Sequence, residues 1–108
     1  MPFAVFLTAD AVSDLEELYH YIALPDAPGK ADQVLAKIEK TFRSLSESPE
    51  RGAYPKELLT LGIRDYREIF FKPYRVIYRV MGDIGYVLLI VDGRRDMQAL
   101  LQRRLLEA

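Results

Sequence analysis

Cysteine and tryptophan are absent from these 108 residues, and histidine occurs once, as His20. Without cysteine there is no disulfide, no thiolate nucleophile and no thiolate metal ligand. One histidine, with no acid or nucleophile at a catalytic spacing from it, gives neither a metal-ligand cluster nor a nucleophile–base pair. No glycine-rich phosphate loop and no nucleophile elbow is present. No apolar run approaches the roughly 20 residues that a bilayer-spanning helix needs. The opening MPFAVFLTAD is too short and too poorly flanked for a signal peptide, and Asp10 interrupts it. These absences predict a cytoplasmic protein with no membrane association, no cofactor and no metal.

Lysine is also scarce where cations are most frequent. Residues 1–59 carry 6 Lys and Arg against 10 Asp and Glu, a net −4. Residues 60–108 carry 9 against 6, a net +3, and all but one of those nine cations are arginine. Arginine suits planar, bidentate recognition of phosphate or carboxylate better than lysine does. An anionic partner, met by the C-terminal half, is the expectation.

Length and the lack of any linker or repeat predict one domain over residues 1–108. Phe3–Leu7 reads as a strand. Thr8 stands where an N-cap belongs, and Val12, Leu15, Leu18, Tyr19 and Ile22 follow at helical spacing. The segment from Pro25 to Gly29 breaks this helix, and Val34, Leu35, Ile38, Phe42 and Leu45 mark a second one, ending before Pro49. Residues 48–65 read as a loop pinned by Leu58, Leu59 and Leu61. Three strands follow, near Tyr66–Phe71, Tyr74–Val80 and Tyr86–Val91, with turns at Lys72-Pro73 and Gly82-Asp83. Met97, Leu100, Leu101 and Leu105 give a short last helix one apolar stripe. The order is β-α-α-β-β-β-α. It predicts an α+β domain: a small antiparallel four-stranded sheet, an N-terminal helical hairpin on one face, and a short C-terminal helix.

Strand alternation puts Tyr74, Val76, Tyr78 and Val80 on one face, and Arg75, Ile77 and Arg79 on the other. Arg67, on the neighbouring strand, joins the second group if the register allows. The expectation is one core face and one open, basic face, whose arginines either meet a phosphate or acidic partner or are solvated and paired with Glu68 or Asp83. Arg94 and Arg95 stand at the start of the last helix, where positive charge opposes the helix dipole at a cost of about 0.3–1 kcal/mol. They are either functional or neutralised by Asp92 and Asp96. Gly93 reads as a tight-turn or positive-φ residue. Arg103 and Arg104 complement the dipole at the helix end. His20 reads as a surface residue, and Asp14, Glu16 and Glu17 as a solvated acidic face. Tyr19, Tyr21 and Phe42 are either core or the lining of an apolar groove for a partner.

Three stretches, FLTADAVSDLEELYHYIA, YREIFFKPYRVIYRV and VLLIVDGRRDMQALLQRRL, in this order and at this spacing, resemble the RelE/ParE superfamily of toxins from type II toxin–antitoxin pairs. The resemblance spans nearly the whole chain and implies the small sheet with a helical hairpin. It implies one of two activities: RelE-like members cleave mRNA on the ribosome, and ParE-like members poison DNA gyrase. Against RelE-like sites, Arg75 falls on a catalytic arginine, Arg67 near a lysine, and Arg95 on the arginine after the last strand; these are the catalytic candidates if the chain is a ribonuclease. The RelE-like C-terminal tyrosine has no counterpart, since Leu100 or Leu101 stands there. Arginine cannot accept a proton at cellular pH and can only stabilise charge. The retained C-terminal helix looks more like ParE. The resemblance therefore implies a gyrase-inhibiting, plasmid-stabilising toxin, with no catalytic residue assigned. Arg67, Arg75, Arg79, Arg94 and Arg95 would form its target-binding surface. Tyr19, Phe42, Arg75 and Arg79 would receive a cognate ParD-like or RelB-like antitoxin. Operator DNA would be met only through the antitoxin complex. The alternatives are ribosome-dependent mRNA cleavage and a degenerate toxin that serves only as antitoxin partner or corepressor.

Overall fold

A computed structural model describes residues 3–23 and 28–107. Strand β1 (Ala4–Leu7) leads through Thr8 into helix α1 (Ala9–Ala23), and helix α2 (Pro28–Arg43) follows. The expected N-cap is present: Thr8 Oγ1 accepts from the Ala11 backbone N–H at 3.2 Å. The helix-breaking residues Pro25 to Ala27 lie outside the described residues. A 3-10 turn (Ser44–Ser46) ends α2. The segment read as loop contains a one-turn helix, α3 (Lys56–Leu59). Strands β2 (Arg67–Phe71), β3 (Tyr74–Met81) and β4 (Ile84–Asp92) form a meander. Helix α4 (Met97–Leu101) is capped by Asp96 and runs on as a π-helical segment, Gln102–Leu106. No helix among the described residues is long and apolar enough to cross a membrane.

The α+β class is as read from the sequence, and the element order differs from that reading by α3. The strand order is β1-β4-β3-β2, and one pairing differs from expectation: β1 runs parallel to β4, so the sheet is mixed. A parallel pairing needs a long crossover rather than a hairpin. Here the crossover is the helical hairpin together with the long segment that carries the chain back to β2.

The larger correction concerns the second face. On the first face, Ala11 of α1 and Ile38 and Phe42 of α2 pack with Leu45 against Ile69, Val76, Tyr78, Val87 and Ile90. On the opposite face a second core joins Ile77, Leu89 and Val91 to Leu58 of α3 and to Met97, Leu100 and Leu101. Each fully buried aliphatic side chain contributes about 1.5–3 kcal/mol. Seven such residues outweigh what an open arginine face offers, so the sheet is sandwiched. Tyr78 ties the crossover down: its hydroxyl donates to Pro49 O at 2.8 Å and accepts from Gly52 N at 3.0 Å. A Cβ on Gly52 would meet that hydroxyl at 2.5 Å, so glycine is required there.

Candidate functional site

The five arginines singled out from the sequence do not form one surface. Arg67 pairs in register with Tyr78, which puts it on the hairpin side of the sheet, away from Arg75 and Arg79. There its guanidinium donates to Glu50 O and Gly52 O (3.2 and 2.9 Å) and lies 4.7 Å from the Tyr54 ring centroid. It staples the crossover segment and keeps partial exposure.

Arg75 lies beneath other atoms, only 8% exposed. Its Nη1 and Nη2 donate bidentately to Glu57, both at 2.8 Å, and its Nε donates to Glu68 at 2.7 Å. Glu57 comes from α3 and Glu68 from β2, so the cluster clips the crossover to the second sheet face. One positive charge faces two carboxylates. The fork of Arg75 holds Glu57 below the ordinary carboxylate range. Burial pushes Glu68 up, because desolvation outweighs its share of the guanidinium. Hydrogen bonding to Glu57 raises Arg75 further. Gly93 belongs to this arrangement. It stands in the turn after β4, one of the two expectations for it, and its φ is not positive. Glycine stands there because a Cβ would meet Arg75 Cδ at 2.7 Å and Cγ at 2.9 Å.

Arg79 is half-exposed. It sits 3.7 Å from Asp65 and 5.7 Å from the Tyr66 ring centroid. Arg94 and Arg95 lie on the β4–α4 connection, both exposed. Arg94 is gripped by both Asp92 oxygens, which lowers the Asp92 carboxyl and raises the guanidinium. Asp96 instead caps α4, accepting from Ala99 N at 3.2 Å. Arg95 makes no side-chain hydrogen bond or ion pair among the described residues.

Arg94 and Arg95 rim a hollow of about 380 Å³ between the second half of α1 and the end of β4. Leu18, Tyr74, Ile90 and Val91 line it together with Asp14, Glu17, Asp92 and the exposed Tyr21. Burial first, and the nearby Asp92 charge second, push the Tyr74 hydroxyl up, which keeps it neutral. The site therefore offers apolar contact and guanidinium charge. Among the described residues, no group of three or more His, Cys, Asp or Glu can hold a metal ion.

The antitoxin candidates separate as well. Tyr19 and His20 line a shallow apolar hollow with Val12, Leu15 and Leu35, where α1 and α2 meet. Val12 and Leu15 also line a second hollow, which reaches Val5 and Leu7 of β1 and the edge of Phe42. Phe42 is 6% exposed and belongs to the first core, so it can offer a partner little more than an edge. Tyr21 stands out into solvent. Arg75 has no free surface to give a partner.

One cluster escaped the sequence reading. Asp14 is buried, not solvated. It accepts from Ile90 N at 3.0 Å and from Arg104 Nη2 at 2.6 Å, and Arg104 Nη1 also donates to Leu88 O at 3.0 Å. Strand β1 pairs with β4 only as far as Val87, so these side chains satisfy backbone groups of β4 beyond the end of β1. The signal was present: Asp14 falls on the stripe of Ala11, Leu18 and Ile22, while Glu16 and Glu17 point outward.

A sequence model of the family described as ParE toxin of type II toxin-antitoxin system, parDE, matches residues 5–97. Toxin ParE3 of Caulobacter vibrioides is 29% identical over 100 residues, covering 93% of this chain and 96% of that relative. Among solved structures, the chromosomal ParDE toxin–antitoxin system from P. aeruginosa superposes with a TM-score of 0.71 at 22% identity, covering 83% of this chain and 95% of that one. A free RelE toxin mutant from E. coli gives 0.63 at 17% identity, covering 97% and 100%. The RelBE2 toxin–antitoxin complex from Mycobacterium tuberculosis gives 0.62 at 21% identity, covering 85% and 99%. At these identities the solved structures establish the shared fold alone. The match over residues 5–97 does more: this chain belongs to the ParE toxin family of type II toxin–antitoxin systems.

Proposed function

We propose that this toxin arrests growth by inhibiting DNA gyrase and that a cognate antitoxin neutralises it. The observation that carries the reading is the state of Arg75. This is the position that resembles a catalytic arginine of RelE-like nucleases, and here it is sealed between Glu57 and Glu68. Leu100 and Leu101, where those nucleases carry a tyrosine, are buried in the second core. Cleavage of RNA by 2′-OH attack needs a proton acceptor and donor at the scissile phosphate. The guanidinium groups that remain accessible can bind and stabilise charge, but they cannot move a proton.

On this reading Arg79, Arg94 and Arg95, with the exposed part of Arg67, supply target contacts. The apolar seam formed by Val12, Leu15, Tyr19 and Leu35 receives part of the antitoxin. The likeness to a ParDE toxin–antitoxin system supports such a partner. The test is expression of the toxin alone, with purified protein assayed for inhibition of gyrase supercoiling and, separately, for mRNA cleavage in a translation extract. Inhibited supercoiling, weakened at least about tenfold by R94E/R95E, is the expected result. Codon-position cuts in mRNA would overturn the target. Inactivity in both assays, with growth unaffected, would leave only a corepressor role.

A further inference from the structure

The sheet has two outer edges, and the chain treats them differently. On β2 the backbones of Glu68 and Ala53 exchange hydrogen bonds at 2.8 and 3.2 Å. The crossover segment thus blocks that edge at Glu68, and the Lys72-Pro73 turn follows Phe71, so no second strand can lie along it. Strand β1 pairs with β4 alone. The N–H groups of Ala4 and Thr8 donate to Asp83 O and Val87 O at 3.1 and 3.0 Å, so the even-numbered residues turn inward. Alternation turns the N–H and C=O of Val5 and Leu7 outward, and no described residue pairs with them. The Ser44–Ser46 turn comes near β1 from the hairpin side but hydrogen-bonds only to the segments on either side of it.

Native sheets blunt an open edge with charge, proline, a bulge or shortness. Shortness is the one protection here: the strand is Ala4, Val5, Phe6 and Leu7, without a charge. Phe6 is 53% exposed, with its ring 6.3 Å from that of Tyr86. Val5 and Leu7 face the hairpin side, where they line a hollow of about 470 Å³.

A second copy of the chain matches this edge. Laid antiparallel about a two-fold axis at Phe6, it sets Val5 of each copy opposite Leu7 of the other and pairs the outward N–H and C=O groups of both. Phe6 then meets its own counterpart as a non-hydrogen-bonded pair, with Cα atoms about 4.5 Å apart. Aromatic pairs placed so contribute about 0.2–1 kcal/mol. The faces agree as well: aliphatic side chains meet beside the two hollows, and aromatic rings meet on the opposite face. Charge permits like to meet like. Glu39 and Arg43 at the hollow pair with each other at 2.9 Å, and the net charge of the chain is −1, so two copies scarcely repel. With the β2 edge blocked, the pairing closes at two copies and does not propagate.

We propose that this protein forms a two-fold dimer by antiparallel β1–β1 pairing centred on Phe6, which joins two four-stranded sheets into one. The proposal stands apart from the gyrase reading. A strand pair of this length buries less than the roughly 1,000 Å² of a tight interface, so the dimer dissociates at about 1–100 μM.

The chain has no cysteine, so Phe6→Cys introduces a sole thiol, and opposed residues of a non-hydrogen-bonded pair lie within disulfide reach. Under oxidised glutathione the full-length F6C protein should form a covalent dimer at least about tenfold faster than M81C, which is 52% exposed but two strands in from the edge. Sedimentation equilibrium should show the wild-type monomer and dimer exchanging with concentration. F6E and F6K each set like charges opposite one another and should weaken the dimer at least about tenfold, and an equimolar mixture of the two should pair again. Thermal midpoints within a few degrees of wild type establish that these variants are folded. A wild-type chain still monomeric at about 200 μM overturns the proposal, and a strand of another protein bound at this edge would then be its occupant. F6C cross-linking no faster than M81C also overturns it. A dimer that persists in both F6E and F6K places the interface elsewhere. Failure of their mixture to pair overturns the register at Phe6.

Discussion

Arg75 and Arg104 are both guanidinium groups drawn into the protein by acids, yet the two clusters differ in balance and reach. Arg104 meets one carboxylate, Asp14, 90 positions away, and the remaining hydrogen bonds go to the β4 backbone at Leu88 and Ile90. Charge is matched, and every participant has a partner. Arg75 meets two carboxylates, Glu57 and Glu68, within 18 positions, so one negative charge is left over. The first cluster locks the C-terminal segment and α1 to the open side of β4. The second clips a crossover segment and leaves one acid poorly served. A balanced pair should fail abruptly when one member is removed. An unbalanced triad can relieve itself, because Glu57 is near the surface and Glu68 can take up a proton.

The largest expected effect follows at Asp14. Asp14→Ala strands a partly buried guanidinium and unpairs the buried Ile90 N–H. Breaking such a pair costs about 3–5 kcal/mol. Urea denaturation should show that loss, and a cost under about 1 kcal/mol would mean that the C-terminal segment is not held this way. Arg75→Ala comes next. It leaves Glu57 and Glu68 without their shared cation, but both have an escape, so the loss should be about 1–3 kcal/mol at neutral pH. If Arg75→Ala proves costlier than Asp14→Ala, the contrast between the two clusters is wrong. If the toxin inhibits gyrase as proposed above, this variant should retain the inhibition once corrected for the folded fraction.

How far these sites were legible in the sequence depends on how local their causes are. The α1 cap at Thr8, the amphipathic stripes of both hairpin helices and the meander turns rest on neighbours within a few residues, and all were read. The alternation of β3 was also right, with Tyr74, Val76, Tyr78 and Val80 on the hairpin side. What alternation could not reveal was that Leu58 and the last helix would cover the opposite face. Arg75 therefore looked open. Arg67 was placed by register, which pairs it with Tyr78, and register depends on long-range hydrophobic fit. The Asp14–Arg104 pair joins the two ends of the chain. Its trace was a charge on each of two apolar stripes: Asp14 beside Ala11 and Leu18, and Arg104 beside Leu100, Leu101 and Leu105.

Gly93→Ala probes the same comparison more gently. The new methyl group would press on the Arg75 stem at 2.7–2.9 Å and on Pro73 O at 3.1 Å. The stem has little freedom, since its head is held at Glu57 and Glu68. Overpacking of this kind costs about 1–3 kcal/mol, and the lower half of that range is expected because a side chain can shift where backbone cannot. In an Arg75→Ala background the contact with the stem disappears and only the approach to Pro73 O remains, so the two effects should be clearly less than additive in a double-mutant cycle. Full additivity would mean that Gly93 acts through its own backbone and not through Arg75.

The smallest effect is the most diagnostic of imbalance. Glu57 titrates below its ordinary value near 4.5 in the folded protein, so its contribution is present above that value and is lost as pH falls through the folded one. Glu68 titrates above 4.5 in the folded protein. As pH rises past 4.5 the unfolded chain ionises this residue first, and stability falls until the folded group ionises as well. The two acids of one cluster therefore pull in opposite directions on either side of 4.5. Glu68→Gln removes only the upper window. The stability of the variant relative to wild type should rise with pH from about 4.5 and then level off. Glu57→Gln should show the reverse in the acid window, with its relative stability falling as pH rises towards 4.5. Denaturation midpoints measured across both windows give the two difference curves. Curves that slope the same way would mean that Arg75 serves both carboxylates equally, and the distinction between a matched pair and an overcommitted cation would no longer separate the two clusters.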